Sequence, residues 1–500
     1  MTNKALLPLD AHNLRLQENV HPENWQNPEP SGNYNLVVIG AGTAGLVTAS
    51  AAPGLGAKVA LIERSLMGGD CLNVGCVPSK GIIASARRAA AVNHAEDFGV
   101  NVPEGVDIDF ARAMERMRKL RADISPADSA QRYRDMGIDV FLGQAKFLDA
   151  NTVEVDGKRL SFSKAAICTG ARAADPEIPG LDEVAYLTNE TLFSLTQLPE
   201  HLAIVGAGPV GCEMAQTFAR LGSSVSLITS KRGVLPNEDP EASDLIKNAL
   251  QADGVRILTE GKNLQVKKVD DGIQLKIGEE SLFADQLLIA IGRKPNIEGL
   301  QLDAAGVTAD DKGVLVNERL QTSNKNVFAA GDVCSDYKFT HAADFMARNL
   351  IQNALFFGRA KTKSLLIPWS TYTEPELAQV GLTPLEANVK GIAIDSFKQD
   401  FAHVDRSLLD GESEGFVKVH VKKGSDQILG ATVVGANAGD LISFYTLAMN
   451  NKIGLKGLAG TIFPYPSHAE AVRKTGDLYN RTRLTPTVKS LMEKFLSWRR

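Results

Sequence analysis

Two glycine motifs, 166 residues apart in the same local setting, constrain this chain most. Asn35-Leu36-Val37-Val38-Ile39 is a short apolar run of buried-strand character. It opens directly into Gly40-Ala41-Gly42-Thr43-Ala44-Gly45, then an Ala-rich helical stretch, then a second strand, Lys58–Glu63. Leu202–Val205 opens in the same way into Gly206-Ala207-Gly208-Pro209-Val210-Gly211, a helix and Ser224–Ile228. One G-x-G-x-x-G is a weak signal, but two, each between a strand and a helix, are strong. Gly40, Gly42 and Gly45, like Gly206, Gly208 and Gly211, allow a tight turn and the close approach of a pyrophosphate to a helix N-terminus. Two such units predict two bound dinucleotides.

The residue eighteen past the last glycine separates the two sites. In the first unit it is Glu63, at a strand end where a carboxylate accepts hydrogen bonds from ribose hydroxyls. That marks an unphosphorylated ribose, as in FAD or NAD. In the second unit it is Thr229, followed by Ser230, Lys231 and Arg232. No carboxylate is there to repel a 2′-phosphate, and two cations and hydroxyls are there to bind it. The second site is therefore expected to prefer NADPH over NADH.

A few residues after the first unit comes Gly68-Gly69-Asp70-Cys71-Leu72-Asn73-Val74-Gly75-Cys76-Val77-Pro78-Ser79-Lys80. Cys71 and Cys76 can close a short loop as a disulfide and reopen as a dithiol beside a two-electron cofactor. One of them needs a depressed pKa, because the thiolate is the nucleophile. A structural zinc site would need four ligands, usually two close pairs, and no second pair exists. No metal site is expected. Cys168, Cys212 and Cys334 lie in apolar or Gly-rich contexts and read as small buried residues. An odd, sparse set of five cysteines is no secreted disulfide framework.

A chain of 500 residues exceeds one ordinary core. Its net charge of −5 argues against nucleic acid as a partner. No signal peptide and no apolar run of membrane-spanning length are visible, so a cytoplasmic location is expected. Residues 1–32 are polar and read as a flexible extension that can dock on the body. A FAD-binding domain is expected over 33–185 and 311–365, an NADPH-binding domain over 186–310, and an interface domain over 366–475. In that last part segments such as Gly415–Val421 alternate apolar and polar, as half-exposed antiparallel strands do. The tail, 476–500, carries Val488, Leu491, Met492, Phe495 and Leu496 at helical spacing, with basic residues around them. Its stripe is expected to pack on the body or a partner subunit rather than to meet a membrane surface.

These motifs, with AICTGA at 166–171, AIGRKPN at 290–296 and AAGDV at 329–333, resemble the pyridine nucleotide–disulfide oxidoreductase family over about residues 33–475. The resemblance implies an α/β protein with two Rossmann-like dinucleotide-binding domains and a C-terminal α+β dimerisation domain, hence a homodimer. It implies FAD in the first module and a nicotinamide nucleotide in the second. Cys71 would attack substrate and Cys76 would lie nearest the flavin, with Lys80 and Glu213 as a flavin-side ion pair. Arg64, Gly69, Thr169, Gly170, Asp332, His341, Ala342, Gly292 and Arg293 fall at cofactor-contacting positions. His341, opening a helix over Ala342–Phe356, reads as a packing or capping residue rather than a base.

Disulfide-reducing members carry a His-Pro and, four residues past the Pro, a Glu. Aligned on Pro466 and Glu470, this chain has Tyr465 at the His position, as mercuric reductases do. It lacks a cysteine after Cys334 and so lacks that branch's C-terminal thiol pair. His468 is an alternative acid–base. The reading is an FAD-dependent, NADPH-oxidising dithiol oxidoreductase of mercuric-reductase-like kind, passing electrons to a small disulfide or a soft metal ion. Its rivals are a lipoamide-type dehydrogenase using NAD and a non-catalytic flavoprotein sensor.

Overall fold

The computed structural model describes residues 6–500. Helix α1 (Ala11–Val20) precedes the first sheet. That sheet grows around β1 (Tyr34–Ile39), which is buried at every position but Asn35. Helix α2 (Thr43–Ser50) carries the chain from β1 to β2 (Val59–Glu63), which lies parallel to it. β3 (Asp139–Leu142) extends the parallel set beyond β2. β4 (Ala145–Asp149) and β5 (Thr152–Val155) lead antiparallel into β6 (Lys158–Ile167). The far half of β6 pairs in parallel with β1 and with Val327–Ala329.

Both faces of this sheet are covered, and strand alternation explains how. Leu36, Val38, Val59 and Leu61 point into one apolar cluster, while Val37, Ile39, Ala60 and Ile62 point into another. Helices cover one face, and strands and loops carrying Phe147, Val153, Val155 and Leu160 cover the other, so near-continuous apolar strands are the expected sequence. His201–Val205, the strand before the second glycine motif, pairs in parallel with Gln286–Ile289.

The chain divides into two compact units, one taken from Met1–Gly206, Thr217–Ser226 and Glu260–Leu365, the other from Ala207–Gln216, Leu227–Thr259 and Leu366–Arg500. The second holds a five-stranded antiparallel sheet, in the order Trp369–Thr371, Glu376–Gly381, Ile428–Gly435, Phe416–Lys422, Ile394–Asp400. Helices Ala438–Asn450 and Glu470–Thr482 close its core, where the Tyr445 hydroxyl meets Thr475 at 2.9 Å. The antiparallel strand read in Gly415–Val421 is there, but it is buried on both faces rather than half-exposed: Val417, Val419 and Val421 on one side and Phe416 and His420 on the other are all within 1% of fully buried. No helix among the described residues is long and apolar enough to cross a membrane.

The reading of the N-terminal end needs correction. Residues 6–32 are not a flexible extension. Leu16 and Val20 of α1 are fully buried in the core that also takes Met67 and Leu72. The Asn27 side-chain amide donates to the Leu142 carbonyl of β3 at 2.9 Å and accepts from its N–H at 2.7 Å. The polar composition misleads because the polar groups are bonded inward. The tail does form a helix, Pro486–Trp498. Of the two surfaces expected to cover its stripe, the body of its own chain is not one: Leu491 and Leu496 are 58% and 57% exposed.

If α1 belongs to the core, Leu16→Ala leaves a cavity and costs about 2–5 kcal/mol. Denaturant unfolding followed by circular dichroism should show a clear drop in midpoint. An unchanged midpoint would mean that α1 is detached in solution.

Candidate active site

The turn bearing the first cysteine starts with two left-handed residues in succession, Gly68 and Gly69, at φ +87° and +57°. A side chain would strain either position. They open α3 (Gly69–Asn73), which holds Cys71 half-buried at its centre. Cys76 is the first residue of α4 (Cys76–Asn93), whose N-cap, Gly75, offers no side-chain cap. Helix Thr340–Leu355 also starts without a side-chain cap, and its first hydroxyl, on Thr340, lies 3.3 Å from the Cys76 sulfur. Two helix starts therefore meet at Cys76, where partial positive charge favours a thiolate. The Cys71 thiol is pushed up by its hydrogen bond to Cys76, then by burial and the Cys76 charge. Cys168 is fully buried, its thiol raised to about 12 by desolvation. Burial likewise raises Cys212 and Cys334.

The residues at the first glycine motif fit an adenine dinucleotide. A Cβ on Gly45 would collide with the Gly40 carbonyl, so α2 sits on the turn at a separation only glycine permits. Glu63 is buried, and its two oxygens accept from the Ala41 and Ser65 N–H groups at 2.7 and 2.8 Å. Burial raises this carboxyl and those two bonds oppose the shift. Each oxygen keeps a lone pair for a ribose hydroxyl.

The motifs at 166–171 and 290–296 are bonded to each other. The Thr169 hydroxyl donates to the Asn296 carbonyl at 2.7 Å, Asn296 Nδ2 donates to the Thr169 carbonyl at 3.0 Å, and the Asn296 N–H donates to Gly170 at 3.0 Å. Gly170 and Gly292 would carry a Cβ into open space, but at φ +66° and +118°. Arg293 uses its donors within the first unit: on the Asp70 carboxylate, on the Ala171 carbonyl at 2.5 Å, and facing Asp332 at 3.5 Å. Asp332 is raised by burial and held against that rise by Arg293. His341 stacks on Phe339 with ring centroids 5.4 Å apart.

At the second motif Gly208 faces open space, and Gly211 lies within helix Pro209–Arg220. Thr229 is buried, its hydroxyl donating to the Gly233 carbonyl at 2.9 Å, so it shapes the loop from inside. Ser230 accepts from the Arg232 N–H at 3.3 Å, and the exposed Arg232 guanidinium reaches Asn237 at 2.8 Å. Glu213 is buried and accepts the Tyr372 N–H at 2.9 Å. Lys80 lies on α4, one turn beyond Cys76.

In the C-terminal part Tyr465 is 70% exposed and its hydroxyl donates to Asp405 at 2.9 Å, which raises the phenol. His468 stands apart from it, with Nε2 at 3.7 Å from Glu412 and 3.9 Å from Asp410. Glu470 pairs along its own helix with Arg473 at 3.1 Å and Lys474 at 3.5 Å. The sequence reading missed Thr340, Asp70 and Asn296. Asp70 and Asn296 lie inside motifs quoted from the sequence and Thr340 at the start of a helix beside His341, so each carried a local signal that its type alone did not turn into a role.

The family model "pyridine nucleotide-disulphide oxidoreductase" matches residues 34–347, and the model for that family's dimerisation domain matches 367–475. The chain belongs to this family. Members are flavoprotein enzymes that use FAD and a nicotinamide nucleotide, and this chain is of their mercuric-reductase-like kind. It is 34% identical over 465 residues to a mercuric reductase of Staphylococcus aureus, covering 91% of this chain and 84% of the relative. A dihydrolipoyl dehydrogenase of Chlamydia muridarum is 32% identical over 451 residues, covering 87% and 95%. Among solved structures, the HOCl-induced flavoprotein disulfide reductase RclA from Escherichia coli superposes with a TM-score of 0.81 at 29% identity, covering 89% of this chain and all of that one. A Cu(II) complex of the same reductase matches at 0.80 and 28%, over 90% and all.

Thr340→Val removes the hydroxyl beside Cys76 and keeps the shape. A lost hydrogen bond to a charged group is worth about 1.5 kcal/mol, or about one pH unit. Thiolate absorbance of the reduced pair should therefore appear at about one unit higher pH. An unmoved titration would remove Thr340 from the site.

Proposed function

We propose that this chain is an FAD-dependent, NADPH-oxidising dithiol oxidoreductase that passes electrons through Cys71 and Cys76 to a soft metal ion, with ordinary disulfides as poor acceptors. The observation that supports the reading is the meeting of two helix starts at Cys76, with the Cys71 thiol raised by its hydrogen bond to Cys76 and by burial. FAD would be held at Gly40, Gly42, Gly45 and Glu63, with residues 33–185 and 311–365 as its domain, and supplies two-electron transfer between nicotinamide and sulfur. NADPH would be held by residues 186–310, with Ser230, Lys231 and Arg232 at the 2′-phosphate.

The residues of the chain divide the work. Cys76 carries the negative charge that the two helix starts favour. Cys71 gives up its proton when it attacks a disulfide or binds a metal ion. Attack on a disulfide forms one sulfur–sulfur bond, breaks another, and releases a thiolate that needs a proton. In the dimer that the dimerisation domain implies, the resemblance puts the 463–470 segment of a second copy beside Cys71. Tyr465 is then the acid, and a phenol raised further by Asp405 is a poor one at neutral pH. Two thiolates binding a soft metal ion need no such donor. The names of the mercuric reductases and the Cu(II) complex of RclA support that choice. A lipoamide-type enzyme running toward NAD would want an acid at 229 and an imidazole at 465, and this chain has Thr229 and Tyr465.

Steady-state kinetics test both halves. The 2′-phosphate contact, worth roughly 1.5–3 kcal/mol, should make kcat/KM for NADPH about 10–100-fold that for NADH, and Lys231→Ala/Arg232→Ala should erase the difference. Hg(II) or Cu(II) thiolate complexes should turn over faster than glutathione disulfide, and Tyr465→His should raise disulfide turnover. Equal use of the two nucleotides would refute the first half. Brisk glutathione disulfide turnover, insensitive to Tyr465→Phe and lost in His468→Ala, would refute the second.

A further inference from the structure

The family match begins at residue 34, yet the segment before it reaches the dithiol turn at both ends. Met67, just before the Gly68–Gly69 pair, donates its N–H to the Val20 carbonyl of α1 at 3.1 Å. Asn73, the last residue of α3, is held through a relay that ends on the same helix. Its carbonyl accepts from Arg121 Nη1 at 2.6 Å, and Arg121 Nη2 donates to Asn13 Oδ1 at 2.8 Å. Arg121 lies on α5 (Phe110–Ile124).

Each member of the relay is buried and fixed from a second direction. Arg121 is 2% exposed and Asn13 1%. Burial, with Arg118 nearby, lowers the Arg121 guanidinium to about 10, so it stays charged at neutral pH. Asn13 donates from its amide to the Pro8 carbonyl at 2.9 Å. Its backbone N–H donates to Asp10, which caps α1 and pairs with Arg118. Asn73 closes the turn from inside, its amide donating to the Met67 and Gly69 carbonyls at 3.0 and 2.9 Å.

We propose that the N-terminal segment is a positioning part of the redox centre: Asn13, through Arg121, and Val20 together fix the turn that carries Cys71. The proposal rests on the reading of Cys71 and Cys76 as a redox pair. Disulfide closure tolerates only a narrow range of Cα separation and Cβ direction. Cys71 and Cys76 sit on two different helices, so the placement of α3 sets both. If α1 only filled the core, Leu16 and Val20 would suffice. A buried cation bridging α1 to α3 costs desolvation and adds direction, which packing alone does not.

The test uses the full-length FAD-loaded enzyme with Asn13→Leu, which removes the acceptor at similar volume, and Asn13→Asp, which keeps the acceptor toward Arg121 while giving up the amide donor to Pro8. Three quantities are compared: turnover that Cys71→Ser abolishes in the parent, NADPH-driven reduction of a one-electron dye that bypasses the thiols, and the pH profile of Cys71 alkylation by iodoacetamide. Asn13→Leu should lower the thiol-dependent kcat about 10-fold, leave KM for NADPH and dye reduction unchanged, and shift the alkylation profile, because small misplacements cost large factors. Asn13→Asp should return the rate to within about 2-fold of the parent. A folded Asn13→Leu enzyme with parental thiol turnover and alkylation would overturn the proposal. So would a fall in dye reduction and thiol turnover in equal measure. If Cys71→Ser left parental turnover intact, the redox-pair reading itself would fail, whatever Asn13 did.

Discussion

In the proposed mechanism the Cys76 sulfur carries negative charge, which needs something other than water to stabilise it, and two helix starts are placed to do so. Gly75 and Phe339 both leave their helices without a side-chain cap, and Cys76 and Thr340 meet there at 3.3 Å. The first-turn N–H groups of a helix and its dipole favour a thiolate placed at its start. Much of the first unit serves to keep those two starts together. β1, β6 and Val327–Ala329 run side by side, so the chain after each of β1 and Val327–Ala329 leaves the same edge of the sheet.

The second requirement is that the cofactor's neighbours do not move. The structure meets it with bonds between distant motifs. The 166–171 and 290–296 segments hold each other through Thr169 and Asn296, and Arg293 ties the latter to Asp70 in the turn of Cys71. Glu63 is locked by two N–H groups. Conserving direction in this way lets the glycines stay bare where a ligand's backbone contacts are needed.

What the sequence made legible was local chemistry. The glycine motifs, the eighteen-residue spacing to Glu63 and Thr229, and the Cys71–Cys76 pair are each complete within a short window, and their strands and helices stand where periodicity puts them. What it hid was chemistry between distant residues. Arg121 binds Asn13 across 108 positions, and Tyr465 finds Asp405 across 60. Residues 6–32 look disordered by composition because Asp10, Asn13 and Asn27 are polar, yet each is bonded inward. The stripe of the tail helix is visible in the spacing of Val488, Leu491 and Phe495, while spacing carries nothing about what covers it.

The account stands on electrons passing through the Cys71–Cys76 pair. Anaerobic titration of the oxidised enzyme with dithionite measures this directly, by the number of reducing equivalents taken up before the flavin is fully bleached. The account predicts uptake of two electron pairs, one for the disulfide and one for FAD, with a long-wavelength absorbance band after the first that is lost in Cys76→Ser. Complete bleaching after a single pair, with no such band, would contradict it.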